Sequence, residues 1–95
     1  MLLSNEKITE LVVDFKALAD EGRLKIVLYL MSGKKSVGEI TNAMGASQSA
    51  TSHQLRILKD AKILQVEKCG NMNYYFVSDD HVKQIIQKSV EHLDC

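Results

Sequence analysis

Ninety-five residues bound this chain to one domain of ordinary small size, with a limited core to which dimerisation would add buried surface. The composition, 45% hydrophobic and 25% charged with no proline, excludes a disordered chain, and no apolar run approaches the roughly 20 residues of a membrane span. The net charge of zero hides a division: residues 1–22 carry −3, residues 23–77 carry +5 and residues 78–95 carry −2, and such a basic centre is the electrostatic footprint of a phosphate backbone.

In chain order, the first helix is predicted to start near Ser4 or Asn5, where Ile8, Leu11, Val12, Phe15 and Leu18 form one apolar stripe at helical spacing. Asp20 is placed to cap a second helix whose Leu24, Ile26, Val27, Tyr29, Leu30 and Met31 are apolar on most sides, the expected buried centre, ended by Gly33. Ser36 with Glu39 three residues on makes a capping box that opens a short third helix through Met44. Gly45 then supplies a left-handed turn and Ser47 caps a fourth helix. Past Lys62 the period shortens to that of a strand: residues 63–68, a turn at Gly70-Asn71 over a slightly extended loop, and residues 73–77 read as a hairpin. The segment from Val82 holds neither Gly nor Pro, and Val82, Ile85, Ile86, Val90 and Leu93 recur as on a fifth helix. The expected fold is mainly α with a β-hairpin: a winged helix-turn-helix of five helices and a two-stranded wing over residues 1–95, dimerising through its first and last helices.

Within the fourth helix, Thr51, Leu55 and Leu58 are spaced to face the core, which leaves Gln48, Ser49, Ser52, His53 and Arg56 on the opposite side. Any surface helix has a solvated face. This one belongs to the second helix of a helix-turn-helix, whose N-terminal residues enter the major groove. Gln48 suits adenine, Ser49 and Ser52 suit a base or a phosphate, and Arg56 suits guanine or phosphate. Together with Lys68 and Asn71 on the wing they form the candidate contact with double-stranded DNA.

The run from Asp79 to Cys95 reads Asp-x-His, ten residues, then His-x-x-Cys. At roughly 100° and 1.5 Å per residue, His81 and His92 fall on nearly one face but about 16 Å apart along the axis, so they cannot hold one ion together. His92 and Cys95 are neighbours at i and i+3, and Asp79 lies beside His81, which leaves a half-site at each end. An antiparallel copy of the helix would complete two identical tetrahedral sites, each with two imidazoles, a carboxylate and a thiolate. That donor set suits zinc or a similar divalent ion such as cobalt or nickel. The plainer alternative is that Ser78, Asp79 or Asp80 caps the helix and the histidines are solvated.

The string Phe15-Lys16-Ala17-Leu18-Ala19-Asp20 with Arg23-Leu24, and the string Ser47-Gln48-Ser49-Ala50-Thr51-Ser52-His53-Gln54-Leu55 with Leu58, resemble the signatures of the ArsR/SmtB metal-responsive repressors. Tyr74-Tyr75 in the hairpin fits as well, so the likeness covers nearly the whole chain. It implies a dimeric winged-helix repressor that binds operator DNA when metal-free and leaves it when metal binds. In one branch of that family the sensing residues stand on the last helix as Asp-x-His, ten residues, then His-x-x-His or His-x-x-Glu, the positions here of Asp79, His81, His92 and Cys95. The chain departs from the pattern at Glu21-Gly22, where the family often has Pro-Thr, and at Cys95, for which Asp94 or the terminal carboxylate could substitute. Val37, Gly38, Glu39 and Ile40 hold no thiol, so a thiolate-rich site for arsenic, lead or cadmium is not expected.

The N-terminus lacks the basic start and apolar run of a signal peptide, which makes the cytoplasm the default. Cys69 and Cys95 form neither a Cys-x-x-Cys pair nor a disulfide framework. There is no phosphate loop and no nucleophile elbow, and Ser52 and His53 are adjacent rather than a supported nucleophile and base, so no enzyme is expected. Two other readings stay open: a thiol-redox-responsive repressor using Cys69 or Cys95, and a DNA-binding module without a ligand.

Overall fold

The structure, a computed structural model, describes residues 1–94; Cys95 lies outside them. The order is α1 (Asn5–Leu18), α2 (Glu21–Leu30), β1 (Lys35–Ser36), α3 (Val37–Met44), α4 (Gln48–Asp60), β2 (Gln65–Cys69), β3 (Met72–Phe76) and α5 (Asp80–Asp94).

Short polar side chains set the helix starts by accepting from amides that have no partner inside the helix. Ser4 Oγ accepts from Lys7 N at 3.2 Å, Asp20 Oδ2 from Arg23 N at 3.0 Å and Ser47 Oγ from Ala50 N at 3.1 Å. Ser36 and Glu39 form the expected capping box, and Gly45 closes α3 at φ 64°. At α5, Asp79 Oδ1 accepts from His81 N at 2.7 Å.

The core is where these amphipathic helices meet. Val27 and Leu30 of α2, Ile40 of α3, Leu55 and Leu58 of α4, and Leu64 are all sealed from solvent, with Val77 and Ile86 closing the cluster. Thr51 is buried too, its Oγ1 donating to Ser47 O at 3.0 Å. Among the described residues no helix is long and apolar enough to cross a membrane.

Three details differ from the sequence reading. First, the sheet has three strands in the order β1-β3-β2, all antiparallel, because Lys35 and Ser36 pair with Tyr75 and Tyr74. Second, the hairpin is tighter than expected and begins later. Cys69 pairs with Met72 across a two-residue connection whose first residue, Gly70, has φ 62°, as a type II′ turn requires. Ile63 and Leu64 are not strand residues: Lys62 turns left-handed at φ 62°, and the amides of Ile63 and Leu64 return to Leu58 O at 3.0 and 3.4 Å, finishing α4. Third, α2 is not buried all round. Leu24 is 37% and Leu28 45% exposed, and both line an apolar groove of about 220 Å³ with Phe15, Leu18, Ile85 and Val90. The helix itself ends at Leu30, ahead of Gly33.

Candidate nucleic-acid interface and metal ligands

The α3–Gly45–α4 unit presents one polar surface. Thr51, Leu55 and Leu58 bury one side of α4, and Gln48, Ser49, Ser52, His53 and Arg56 are all exposed on the other. The first turn of α4 contains no acid, so the positive end of its dipole is not neutralised from within the helix. Ser47 Oγ, at 3.3 Å from Ser49 Oγ, belongs to the same surface. On the hairpin, Lys68 and Asn71 are exposed beside the Gly70 turn.

The basic centre is smaller at the surface than the sequence count implies, because several cations are engaged. Arg23 turns inward: its Nε donates to Ala17 O at 2.7 Å and its guanidinium reaches Lys16 O and Gln54 Oε1 at 3.2 and 3.0 Å. Lys25 pairs with Glu21 at 3.2 Å, and Lys34 with Glu67 at 3.0 Å. The Glu67 hydrogen bond raises the Lys34 ammonium above its ordinary range. Arg56, Lys59, Lys62 and Lys68 enter no ion pair among the described residues and are exposed, whereas Lys35, likewise without an ion pair, is half-buried with its ammonium 5.4 Å from the centre of the Tyr29 ring; the four exposed cations are the ones best placed to meet a polyanion.

On α5 the structure brings Asp79 and His81 together, with Asp79 Oδ1 at 3.1 Å from His81 Nδ1. The His81 side chain is 90% exposed, so its second ring nitrogen is open to a ligand. His92 stands exposed in the last turn of the same helix. Among the described residues no three His, Cys, Asp or Glu side chains of one chain converge as a metal site. The carboxylate and imidazoles fit a borderline divalent ion in chemistry, and each end of α5 offers only part of a coordination shell. Asp79 acts as a helix cap as well, so the two readings of this residue are compatible.

Reasoning from the sequence missed Gln54. Its Nε2 donates to Asp20 Oδ2 at 3.3 Å while its Oε1 accepts from Arg23, so it joins α4 to the α1–α2 corner. Asp20 was legible as a cap and Arg23 as a charge; no periodicity links either of them to a residue 31 or 34 positions on.

A helix-turn-helix with an exposed hydrogen-bonding second helix and an adjoining three-stranded wing defines a winged-helix DNA-binding regulator of transcription. Residues 20–66 match the family described as "Bacterial regulatory protein, arsR family". The chain is 39% identical over 79 residues to the cadmium resistance transcriptional regulatory protein CadC homolog of Staphylococcus aureus, covering 82% of this chain and 65% of that protein, just under two thirds. It is 33% identical over 92 residues to the transcriptional repressor SmtB homolog of Synechocystis, covering 97% of this chain and 70% of that one. The solution structure of the homodimeric winged helix-turn-helix domain Mb0332 from Mycobacterium bovis superposes with a TM-score of 0.88 at 25% identity, covering 97% of this chain and 88% of that chain. This chain belongs to the ArsR family of bacterial regulatory proteins.

Proposed function

We propose that the chain is a zinc-responsive repressor: a cytoplasmic homodimer that holds operator DNA when metal-free and leaves it when zinc binds between the last helices. The observation that carries this reading is the layout of α5. Asp79 and His81 touch at its start, His92 stands in its last turn, and the exposed apolar residues Ile85, Val90 and Leu93 lie between or beside them. On α1, Ile8, Leu11, Val12 and Phe15 are exposed as well. Contiguous apolar surface of this kind marks an interface, and a two-fold copy covers it with the same patch. Antiparallel pairing of α5 would bring the end carrying Asp79 and His81 of one protomer to the end carrying His92 of the other, and Asp79, His81, His92 and Cys95, the last outside the described residues, would hold the metal. When bound, the ion supplies a cross-link between the two chains.

The donor set of two imidazoles, a carboxylate and a single thiolate favours a borderline ion over a soft one. The name of the S. aureus relative, a cadmium resistance regulator, supports a metal as the class of inducer. DNA contact falls to Gln48, Ser49, Ser52, His53 and Arg56 in the major groove, with Lys68 and Asn71 on the wing. Release follows from linkage: if metal favours a dimer geometry in which the two recognition helices no longer span successive grooves, DNA must weaken metal affinity by the same factor.

The test is the affinity of the dimer for a duplex it has itself selected from a random pool, measured with and without zinc. Zinc should weaken binding in wild type and in Cys69→Ser alike. Affinity indifferent to zinc would sink the sensor assignment, and loss of the response in Cys69→Ser would favour the thiol instead.

A further inference from the structure

One polar cluster outside the DNA-facing and metal-ligand residues joins three helices. At the C-terminal end of α1, where the helix dipole favours a cation, Arg23 Nε donates to Ala17 O at 2.7 Å and Nη2 to Lys16 O at 3.2 Å. Its remaining nitrogen, Nη1, donates to Gln54 Oε1 of α4 at 3.0 Å. Gln54 Nε2 donates in turn to Asp20 Oδ2 at 3.3 Å, the oxygen that also caps α2 by accepting from Arg23 N at 3.0 Å. The backbone is bare beside this contact: a Cβ on Gly22 would stand 3.3 Å from both Asp20 Oδ2 and Gln54 Nε2.

The position of Gln54 on α4 gives the cluster its meaning. Ser52, His53 and Arg56 around it are exposed, Leu55 next to it is in the core, and Gln54 is half-buried on the flank. With both ends of its amide engaged inward, it does not reach for a base. The guanidinium is planar and rigid, so one Arg side chain holds the end of α1 and the middle of α4 at a fixed separation, which a flexible point charge does not. The buried anchors Thr51, Leu55 and Leu58 hold one face of α4 against the core, and the tie adds a directional polar contact on its flank.

We propose that Gln54 is a positioning residue: the Arg23–Gln54–Asp20 tie sets the rotation of the recognition helix against the end of α1. A change in how two copies pack along α1 and α5 then reaches the DNA-reading surface through this tie. Only the metal-linked half of this inference rests on the function proposed above.

The experiment compares wild type, Gln54→Met, Arg23→Lys and the double variant on the selected duplex, with and without zinc, alongside thermal unfolding. Met keeps the length of Gln without its donor or acceptor, and Lys keeps the charge without the fork. Both single variants should remain folded dimers and lose about tenfold in metal-free affinity, within the usual range of a coupling between sites. Salt slope and base preference should stay those of wild type, since no DNA contact is removed. The double variant should be no worse than the weaker single one, because both changes break the same tie. The effect of zinc should contract by the same factor.

Unchanged metal-free affinity in folded Gln54→Met overturns the proposal. So does a relaxed preference at one operator position, which would make Gln54 a direct reader, and so do additive losses in the double variant. If Arg23→Lys does not fold, the metal-free affinity and base preference of Gln54→Met decide alone. A wild type indifferent to zinc defeats the proposed sensing function instead, and the metal-free comparison still decides the tie.

Discussion

Ser36 and Glu39 satisfy each other at the start of α3: Glu39 N donates to Ser36 Oγ at 3.2 Å, and Ser36 N donates to Glu39 Oε1 at 3.0 Å. The backbone N–H of Ser36 is the main reason the Glu39 carboxyl titrates below its ordinary value of 4.5, and the backbone N–H of Arg23 does the same for Asp20 below 3.8. A depressed folded-state pKa contributes stability that is present above the unfolded value and lost as pH falls through the folded one. Thermal unfolding followed through the acid range should therefore show a declining midpoint that is flatter in Glu39→Gln and in Asp20→Asn. An acid limb identical in both variants and wild type would remove these two caps as its cause.

Ser36→Ala removes a buried cap without touching a charge. It should cost about 1 kcal/mol of unfolding free energy, read from denaturant midpoints at unchanged slope.

Leu58 is fully buried where α4 meets the core. Leu58→Ala should destabilise by about 2–5 kcal/mol, the spread reflecting how far neighbours collapse into the cavity. A loss below about 1 kcal/mol would mean that α4 is not seated as described.

On the recognition helix the expected losses separate by kind. Gln48→Ala should cost about 1–3 kcal/mol of binding and relax preference at one operator position, whereas Arg56→Ala should weaken binding to all sequences and flatten the salt dependence. Ser52→Ala and His53→Ala alter exposed groups and should leave thermal stability nearly unchanged. Wild-type affinity in all four variants would take this helix out of the interface.

The metal site proposed to be shared between two chains would have a combinatorial signature. His81→Ala and His92→Ala homodimers should each lose both sites. Mixing the two chains places both surviving histidines at one site and none at the other, so about one tight zinc per heterodimer should return. No recovered site in a confirmed heterodimer would show that the ligands are not shared between chains.

How far the sequence disclosed all this depended on range. Caps, periodicity and the αL turn at Gly45 are properties of residues three or four apart, and the structure has Ser4, Asp20, Ser36 and Ser47 at the helix starts that those signals predict. What escaped were pairings between distant segments. Lys35 and Ser36 form too short a strand to show alternation, and only Tyr75 and Tyr74 opposite make it one. Ile63 and Leu64 look like strand because burial on both sides erases period, yet their amides finish α4. Arg23 looked like a surface cation because a charge count cannot tell which guanidinium is turned inward. The proposed ligand residues form a pattern on one helix, and a site divided between two chains would be seen whole only with the partner.

The exposed stripe of α1 makes the amount of protein itself a variable. Ala17 is the one buried residue of this 14-residue helix. Ile8, Leu11, Val12 and Phe15 keep 42–54% of their surface in water in a single chain, and the inward hold of Arg23 acts only at the far end. A helix of this length is marginal without tertiary support. By mass action, a copy packed along this stripe would support α1, and dilution would withdraw that support. DNA binding by the paired form would then rise with copy number more steeply than the count of binding sites alone requires.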